Sequence, residues 1–429
     1  MGKGITGRLF KGDRAIWYIF FILSIVSIIE VFSASSRDTY DTNYWASITK
    51  HTIFVIAGVF MVWFMHNMKL EWIKGMSKFM YICGIILLLY GVLGGGASIN
   101  QSGRWVNIAG IQFQHFEVVK LGVVMLLSLI LAKAQGENGT RLSWSSAWGM
   151  FYLRPKNENR PGDYTLLTSL IIVIIPCAFI ITENLSTVVI ILLVVFLMML
   201  IGRVNWKHML FVFSSGIAAI ILGVGLLLNL PEDIKHQGTL GSKLITWKHR
   251  LQDISESKAP ERPEDVKISG EEQRVYSKIA IAEGGVFGRG PGNSVRRDYI
   301  PHANNDFIYA IILEELGLIG GIATIILYLT LLYRCGMIAK ECDDPYACFL
   351  ILGIGILITV QALIHMSISV GDFITGQPLP LISQGGTSFL INCMYIGIIL
   401  SVSRYAGRIA RKGQTEEIIE NTETNTNNT

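Results

Sequence analysis

The residues of this 429-residue chain that could do chemistry are few, and most stand beside apolar blocks. Ionisable groups at membrane depth are costly, so each is a functional-site candidate whose partner has to be named. Asp306, in PHANNDFIYAIILEELG, is the sharpest: it follows a polar run and stands where the chain re-enters an apolar one. A carboxylate there, beside a glycine-rich stretch, meets the need of a general base that takes a proton from a hydroxyl. Asp before an apolar helix is also an ordinary start signal, and the two roles are compatible. Glu117 and Lys120, at i and i+3, share a helix face and can pair. Either they face a cavity, with Lys120 available to an anion, or they form an internal salt bridge that orders the helix. Arg104, in GRWVN, is the lone cation of a short connection. Its planar fork suits a diphosphate, and the alternative is a headgroup anchor beside Trp105. Glu183, Glu314, Glu315 and Asp372 complete the set, all on the same side in the topology below.

Other signals are weaker. GRGPGNS lacks the Lys-Ser/Thr ending of a nucleotide loop, so its glycines serve a tight turn or a close approach. His115, His302 and His365 have no metal-ligand spacing, and the six cysteines show neither a zinc pattern nor a disulfide framework. No residue cluster calls for a metal; a divalent cation, Mg or Mn, stays open as a cofactor.

The elements that must position these residues are apolar helices. Hydrophobic residues make up 51% of the chain, charged ones only 16%, and mean hydropathy is +0.47. A soluble domain carries about 25% charged residues. Apolar blocks at about 15–35, 51–67, 79–97, 116–133, 165–182, 185–201, 208–230, 306–333, 346–369 and 385–404 are each near the length that crosses a bilayer. Backbone groups in lipid must be satisfied within the segment, so the fold class is an all-α polytopic membrane protein with about ten transmembrane helices. Blocks five and six, separated by Glu183-Asn184, form either a tight hairpin or one broken helix. Glu314 and Glu315 place the first half of block eight at an interface or along a cavity. QPLPLISQGGTS reads as a re-entrant or tightly turned segment.

Lys and Arg in the connections set the orientation. With the N-terminus inside, the inner connections hold 20 of them and the short outer ones only Arg37, Lys50 and Arg104. Residues 1–14 are then a cytoplasmic N-terminus, 15–412 the membrane domain, and 231–305 a large extracytoplasmic loop. The tail 413–429 is expected to be cytoplasmic and disordered.

Six motifs, in order along residues 15–410, resemble the SEDS family (shape, elongation, division and sporulation) of peptidoglycan polymerases. They are VFSASS (31–36), GRWVN with FQHFEVVKL (103–121), ENLSTVVI (183–190), QRVYSKIAIAEGGVFGRGPGNSV (273–295), PHANNDFIYAIILEELGLIGG (301–321) and GQPLPLISQGGTS (376–388). GPGNSV and FSASS are closer to the division member FtsW than to the elongation member RodA. There are departures. The family's Phe-Gln-Pro-Ser-Glu is Phe113-Gln114-His115-Phe116-Glu117 here, its Pro-Asp-Leu-Gly-Thr is Glu183-Asn184-Leu185-Ser186-Thr187, and its Ser-Tyr-Gly-Gly is Ser383-Gln384-Gly385-Gly386. Asn184 thus stands where the family has an aspartate, whose role cannot be carried over.

The resemblance implies a glycosyltransferase that polymerises lipid II, the undecaprenyl-diphosphate-linked disaccharide-pentapeptide, on the outer face of the inner (cytoplasmic) membrane during division. It makes Asp306 the general base. Expected substrate contacts are Arg104, Glu117, Lys120, Glu183, Asn184, Arg250, Gln273, Ser277, Asn293, Ser383, Gly385 and Gly386. Expected partners are lipid II, a class B penicillin-binding protein (a transpeptidase) and other division membrane proteins; nucleic acid is not one. The competing readings are a lipid II flippase, an elongation-type polymerase and a division scaffold without catalysis.

Overall fold

A computed structural model describes residues 11–35, 44–91, 106–108, 111–135, 165–181, 183–202, 270–300, 303–371 and 377–426, with isolated positions between 204 and 229. The described elements are α1 (Arg14–Ala34), α2 (Tyr44–Asn67), α3 (Leu70–Tyr90), β1 (Val106–Ile108), β2 (Ile111–Phe113), α4 (His115–Gln135), α5 (Thr165–Ile180) and α6 (Leu185–Ile201). They continue with α7 (Gly270–Gly284), α8 (Ile308–Lys340), α9 (Pro345–Val370) and α10 (Thr387–Thr426). Among the described residues, seven helices are long and apolar enough to span a membrane, and α5 and α6 supply two shorter apolar stretches. The seventh block (208–230) lies mostly outside the described residues, as does 231–269 of the long loop.

The helices form one bundle. α4, α9 and α10 are its centre, with most of each span buried, whereas α3 and the distal part of α8 turn apolar side chains outward. α3 packs most extensively on α4, α2 on α10, and α8 on α9. Small residues permit the closest of these contacts: a Cβ on Gly122 would stand 2.7 Å from the Tyr81 Cα, and one on Gly84 3.1 Å from that of Val119. In lipid, where apolar burial gives no advantage between helices, such backbone approach is what holds a pair together.

Several boundaries differ from the sequence pattern. α3 begins at Leu70, nine residues ahead of its block, because its first turns carry Glu71, Lys74 and Lys78 on an otherwise helical pattern. Helix α7 occupies part of the long loop, where glycine-rich neighbours mask its periodicity. A two-stranded antiparallel hairpin, Val106 opposite Phe113, precedes α4. α10 runs on to Thr426, whereas the polar composition from Gly413 predicts a disordered tail. Glu416, Glu417, Ile418 and Ile419 are compatible with helix and no proline interrupts them. Between blocks five and six the helix is broken, and Asn184 caps a separate α6.

α8 is itself broken. Gly317 has φ +68°, and Leu318 and Ile319 donate backbone hydrogen bonds to Gly285 and Val286 rather than continuing the ladder. A Cβ at Gly317 would meet the Gly288 nitrogen at 2.4 Å. The stretch after α7 therefore inserts into the break, which only glycines on both sides allow.

Candidate active site

The sequence motifs converge at one end of the bundle. The alternation of spans brings together the C-terminal ends of α1 and α9 and the N-terminal ends of α4, α6, α8 and α10, opposite the end where α1 begins. Their common partner is the irregular segment 377–386. Gln377 Nε2 donates to Thr187 Oγ1 of α6 at 2.6 Å, and its carbonyl meets His365 Nδ1 of α9 at 2.6 Å. The Pro378 carbonyl accepts from Gln361 Nε2 at 3.3 Å, and the Pro380 carbonyl accepts from the buried Tyr328 hydroxyl. Ser27 of α1 donates to the Ile382 carbonyl at 2.7 Å. Thr387, just beyond, accepts from the Gln114 amide at 3.2 Å. A non-helical backbone at membrane depth is tolerable when protein groups satisfy it, and here several do.

Asp306 lies in the turn 303–306, directly before α8, and is half-buried. The capping position of α8 is Phe307, so Asp306 stands one residue ahead of it. Both sides of the turn are clasped. Ser383 Oγ donates to the Asn305 carbonyl at 2.8 Å, the Gln384 amide donates to the Asn304 carbonyl at 3.0 Å, and Asn304 Nδ2 donates to Gln384 Oε1 at 2.5 Å. Asn304 also reaches Ser35 Oγ at 3.3 Å, and Phe307 is inserted in the core. A half-buried acidic residue with rigid backbone on either side can be held in one orientation toward a ligand.

Eight and nine residues further on, Glu314 and Glu315 are wholly buried. They hold the GRGPGNS loop. Glu314 accepts from the Val295 amide at 2.9 Å and the Ser294 hydroxyl at 2.5 Å. Glu315 accepts from the Gly292 amide at 2.8 Å, the Ser294 amide at 3.1 Å and the Ser33 hydroxyl. Arg297 Nη1 closes the group by donating to Ser33 Oγ at 2.7 Å and to the Gly292 carbonyl at 3.0 Å. The interfacial or cavity-lining reading of these two glutamates gives way to an anchoring one, because carboxylates accept backbone N–H groups with particular strength.

Glu117 and Lys120 form a closed cluster. Lys120 Nζ donates to Glu117 Oε1 at 2.6 Å and Gln361 Oε1 at 2.7 Å, and Tyr395 donates to Glu117 Oε2 at 3.3 Å. Both charges are fully enclosed, which is the internal salt bridge of the two alternatives. Asn184 caps α6, its Oδ1 accepting from the Thr187 amide at 3.3 Å. Asn and Asp cap helices about equally well, so the departure from aspartate leaves this role intact.

The other expected contacts scatter. Ser277 ties α7 to the end of α9 by donating to the Ser369 carbonyl at 2.6 Å, and exposed Asn293 donates to the Arg289 carbonyl at 3.1 Å within its own turn. Gln273 and Glu183 are half-buried. Gly385 and Gly386 lead into α10, Gly386 with φ +48°. Arg104, Arg250, His302 and Asp372 lie outside the described residues. Among the described residues, no group of three or more His, Cys, Asp or Glu could hold a metal ion.

The chemical reading of single residues in the sequence passes over Glu30, Ser33, Gln361 and Tyr395. Glu30, in α1, is completely buried, and a lone carboxylate inside an apolar block is the signal that marks it. At the surface of the loop, Arg296 grips Glu283 through Nε at 3.1 Å and through Nη2. That hydrogen bond holds the Glu283 carboxyl below its usual range, with the charges of Arg296 and Arg289 assisting.

Comparison with known proteins identifies the family and the fold. A family described as cell cycle proteins, which groups FtsW, RodA and SpoVE, matches residues 13–408. A relative from Bacillus subtilis, stage V sporulation protein E, is 28% identical over 83% of this chain and 87% of its own length. One from Coxiella burnetii, named a probable peptidoglycan glycosyltransferase FtsW, is 27% identical over 82% of this chain and 85% of its own. A solved structure under the heading "Structural coordination of polymerization and crosslinking by a peptidoglycan synthase complex" superposes with a TM-score of 0.67 over 92% of this chain and 98% of that one, at 18% identity, and so shares the fold. This chain is a multi-pass membrane protein that belongs to the FtsW, RodA and SpoVE family, the SEDS family.

Proposed function

We propose that the chain is a peptidoglycan glycosyltransferase that polymerises lipid II during cell division, with Asp306 as its general base. The observation that carries this reading is the placement of Asp306, half-buried in a turn clasped by Ser383 and Gln384 at the end of the bundle where the motifs meet. In the reaction, the acceptor sugar hydroxyl of incoming lipid II attacks the anomeric carbon at the lipid-linked end of the growing strand. The bond from that carbon to the diphosphate oxygen breaks, a glycosidic bond forms with inversion, and Asp306 takes the hydroxyl proton. A positioned base contributes about 10²–10⁴-fold. Holding two lipid-anchored substrates in line contributes further. Arg104 and Arg250 are the proposed holders of the leaving diphosphate. Lys120 belongs to that set only if substrate entry opens its cluster.

The excess of Lys and Arg in the inner connections supports cytoplasmic termini and an outward-facing Asp306, in the inner membrane. A class B penicillin-binding protein is the proposed partner, and the fold neighbour described as a peptidoglycan synthase complex favours such an assembly. Asp306→Asn is expected to reduce polymer formation from purified lipid II, assayed with that partner, by about 10²–10⁴-fold. Yield and melting temperature should stay at wild-type values. Full activity in the variant would remove the base assignment, and redistribution of lipid II across vesicles without polymer would favour a flippase.

A further inference from the structure

The opposite end of the bundle carries a cavity that the proposed reaction does not use. It has a volume of about 280 Å³ and lies where α2 ends, α3 and α9 begin and the span of α10 ends. Lys69, Lys74, Arg404 and Arg408 line it, against only two carboxylates, Glu71 and Asp344. Asp344 is already engaged, 3.7 Å from Lys74 and accepting from the Tyr346 amide at 2.8 Å as the cap of α9. Arg404 uses one nitrogen, Nη2, on the Met68 and Asn67 carbonyls at 2.6 and 3.1 Å, which leaves the rest of its planar fork for other oxygens. Lys69 and Arg408 are exposed at the rim. Next to the cavity, α3 presents Trp72, Phe79, Ile82 and Ile86 outward, each more than half exposed. A tryptophan at this level is a mark of the membrane–water interface.

We propose that this cavity binds the phosphodiester headgroup of an anionic phospholipid, whose acyl chains lie along the outward face of α3. Oxygen-rich anions fit a cleft with excess cations and a pre-oriented guanidinium, and basic pockets between spans are where such headgroups settle. The contiguous apolar stripe favours a lipid over a free phosphate, since a soluble anion makes no use of it.

Native mass spectrometry of the purified full chain, released from phosphatidylcholine nanodiscs doped with phosphatidylglycerol, tests the site. The wild type is expected to retain phosphatidylglycerol in preference to phosphatidylcholine. Lys69→Ala with Arg408→Ala, both at exposed positions, should weaken that retention roughly 30-fold while melting as the wild type in neutral lipid. Lys69→Arg with Arg408→Lys keeps the charges and should retain the lipid. Equal retention of both lipids, or unchanged retention in the alanine pair, overturns the proposal. So does displacement by inorganic phosphate at matched concentration, which would identify a free-anion site instead.

Discussion

Glu117 on one side and Glu314 with Glu315 on the other are buried carboxylates that meet different kinds of partner. Glu117 lies inside the membrane span and faces a cation, Lys120, with Gln361 and Tyr395 filling its remaining positions. Glu314 and Glu315 lie near the end of the bundle and face mainly backbone amides and hydroxyls of residues 292–296 and Ser33. The first pair is local in sequence and fastens one helix to α9 and α10. The second fastens a loop to a helix that Gly317 has broken. Asp306 belongs to neither type: its turn is held through backbone and neighbouring side chains, and the residue is half-buried, with its Oδ1 enclosed. The fully buried Glu117, Glu314 and Glu315 serve as scaffold, and half-buried Asp306 is the candidate for chemistry.

The largest effect should come from unbalancing the first group. Lys120→Met leaves Glu117 as an unpaired charge within the bundle, a change that costs about 3–5 kcal/mol in comparable buried pairs. Thermal unfolding of the purified protein, or loss of folded yield, measures it. Combining Lys120→Met with Glu117→Gln removes both charges and keeps one amide oxygen to accept from Gln361 or Tyr395, so much of the stability should return. The double variant also separates two roles. Wild-type polymerisation would make the pair scaffold alone, whereas a stable but inactive protein would put Lys120 in the handling of substrate.

A smaller and more local effect is expected from the second group. Glu315→Ala deprives the Gly292 and Ser294 amides and the Ser33 hydroxyl of their acceptor. Hydrogen bonds to a charged group are worth roughly 1.5–3 kcal/mol each, and water recovers part of that once the loop opens. Amide hydrogen exchange should therefore rise across residues 289–297 while the helices α4, α9 and α10 keep their protection. Uniform acceleration over the whole bundle would make Glu315 a core residue rather than a loop anchor.

This contrast also explains what the sequence discloses and what it hides. Apolar length identifies α1, α2, α4, α6, α9 and α10 because lipid leaves a helix little alternative. The start of α3 is hidden because its first turns lie at the interface and carry charges, and α7 is hidden by the glycines that follow it. For the site, the pairing of Glu117 with Lys120 is legible because three residues on a helix fix the geometry. The partnership of either with Gln361, 241 or 244 residues away, is not, since no local rule brings them together. Glu314 and Glu315 invite a cavity reading by depth alone, and only the folded loop shows that backbone amides meet them. The segment 377–386 is recognisable by its prolines and glycines as irregular, but its role as common partner of α1, α6, α8 and α9 follows from the fold alone.

The smallest expected effect lies at the loop surface and depends on pH. Arg296 donates to Glu283 and holds that carboxyl below its ordinary value of 4.5, so the folded protein binds the proton less readily than the unfolded chain does. By linkage, the contribution of this pair is fully present above pH 4.5 and fades as pH falls through the lower folded-state value. Glu283 is partly exposed, at 24% for its side chain, so solvent and salt screen the interaction and the bundle as a whole should not register it. Relative to the intrinsic chemical rate, which itself slows on acidification, hydrogen exchange in 285–299 at low salt should accelerate as pH is lowered from neutrality past 4.5. Arg296→Ala should remove most of that extra acceleration by letting Glu283 titrate nearer its ordinary value. A loop equally protected on both sides of this range would assign its order to the buried Glu314 and Glu315 alone.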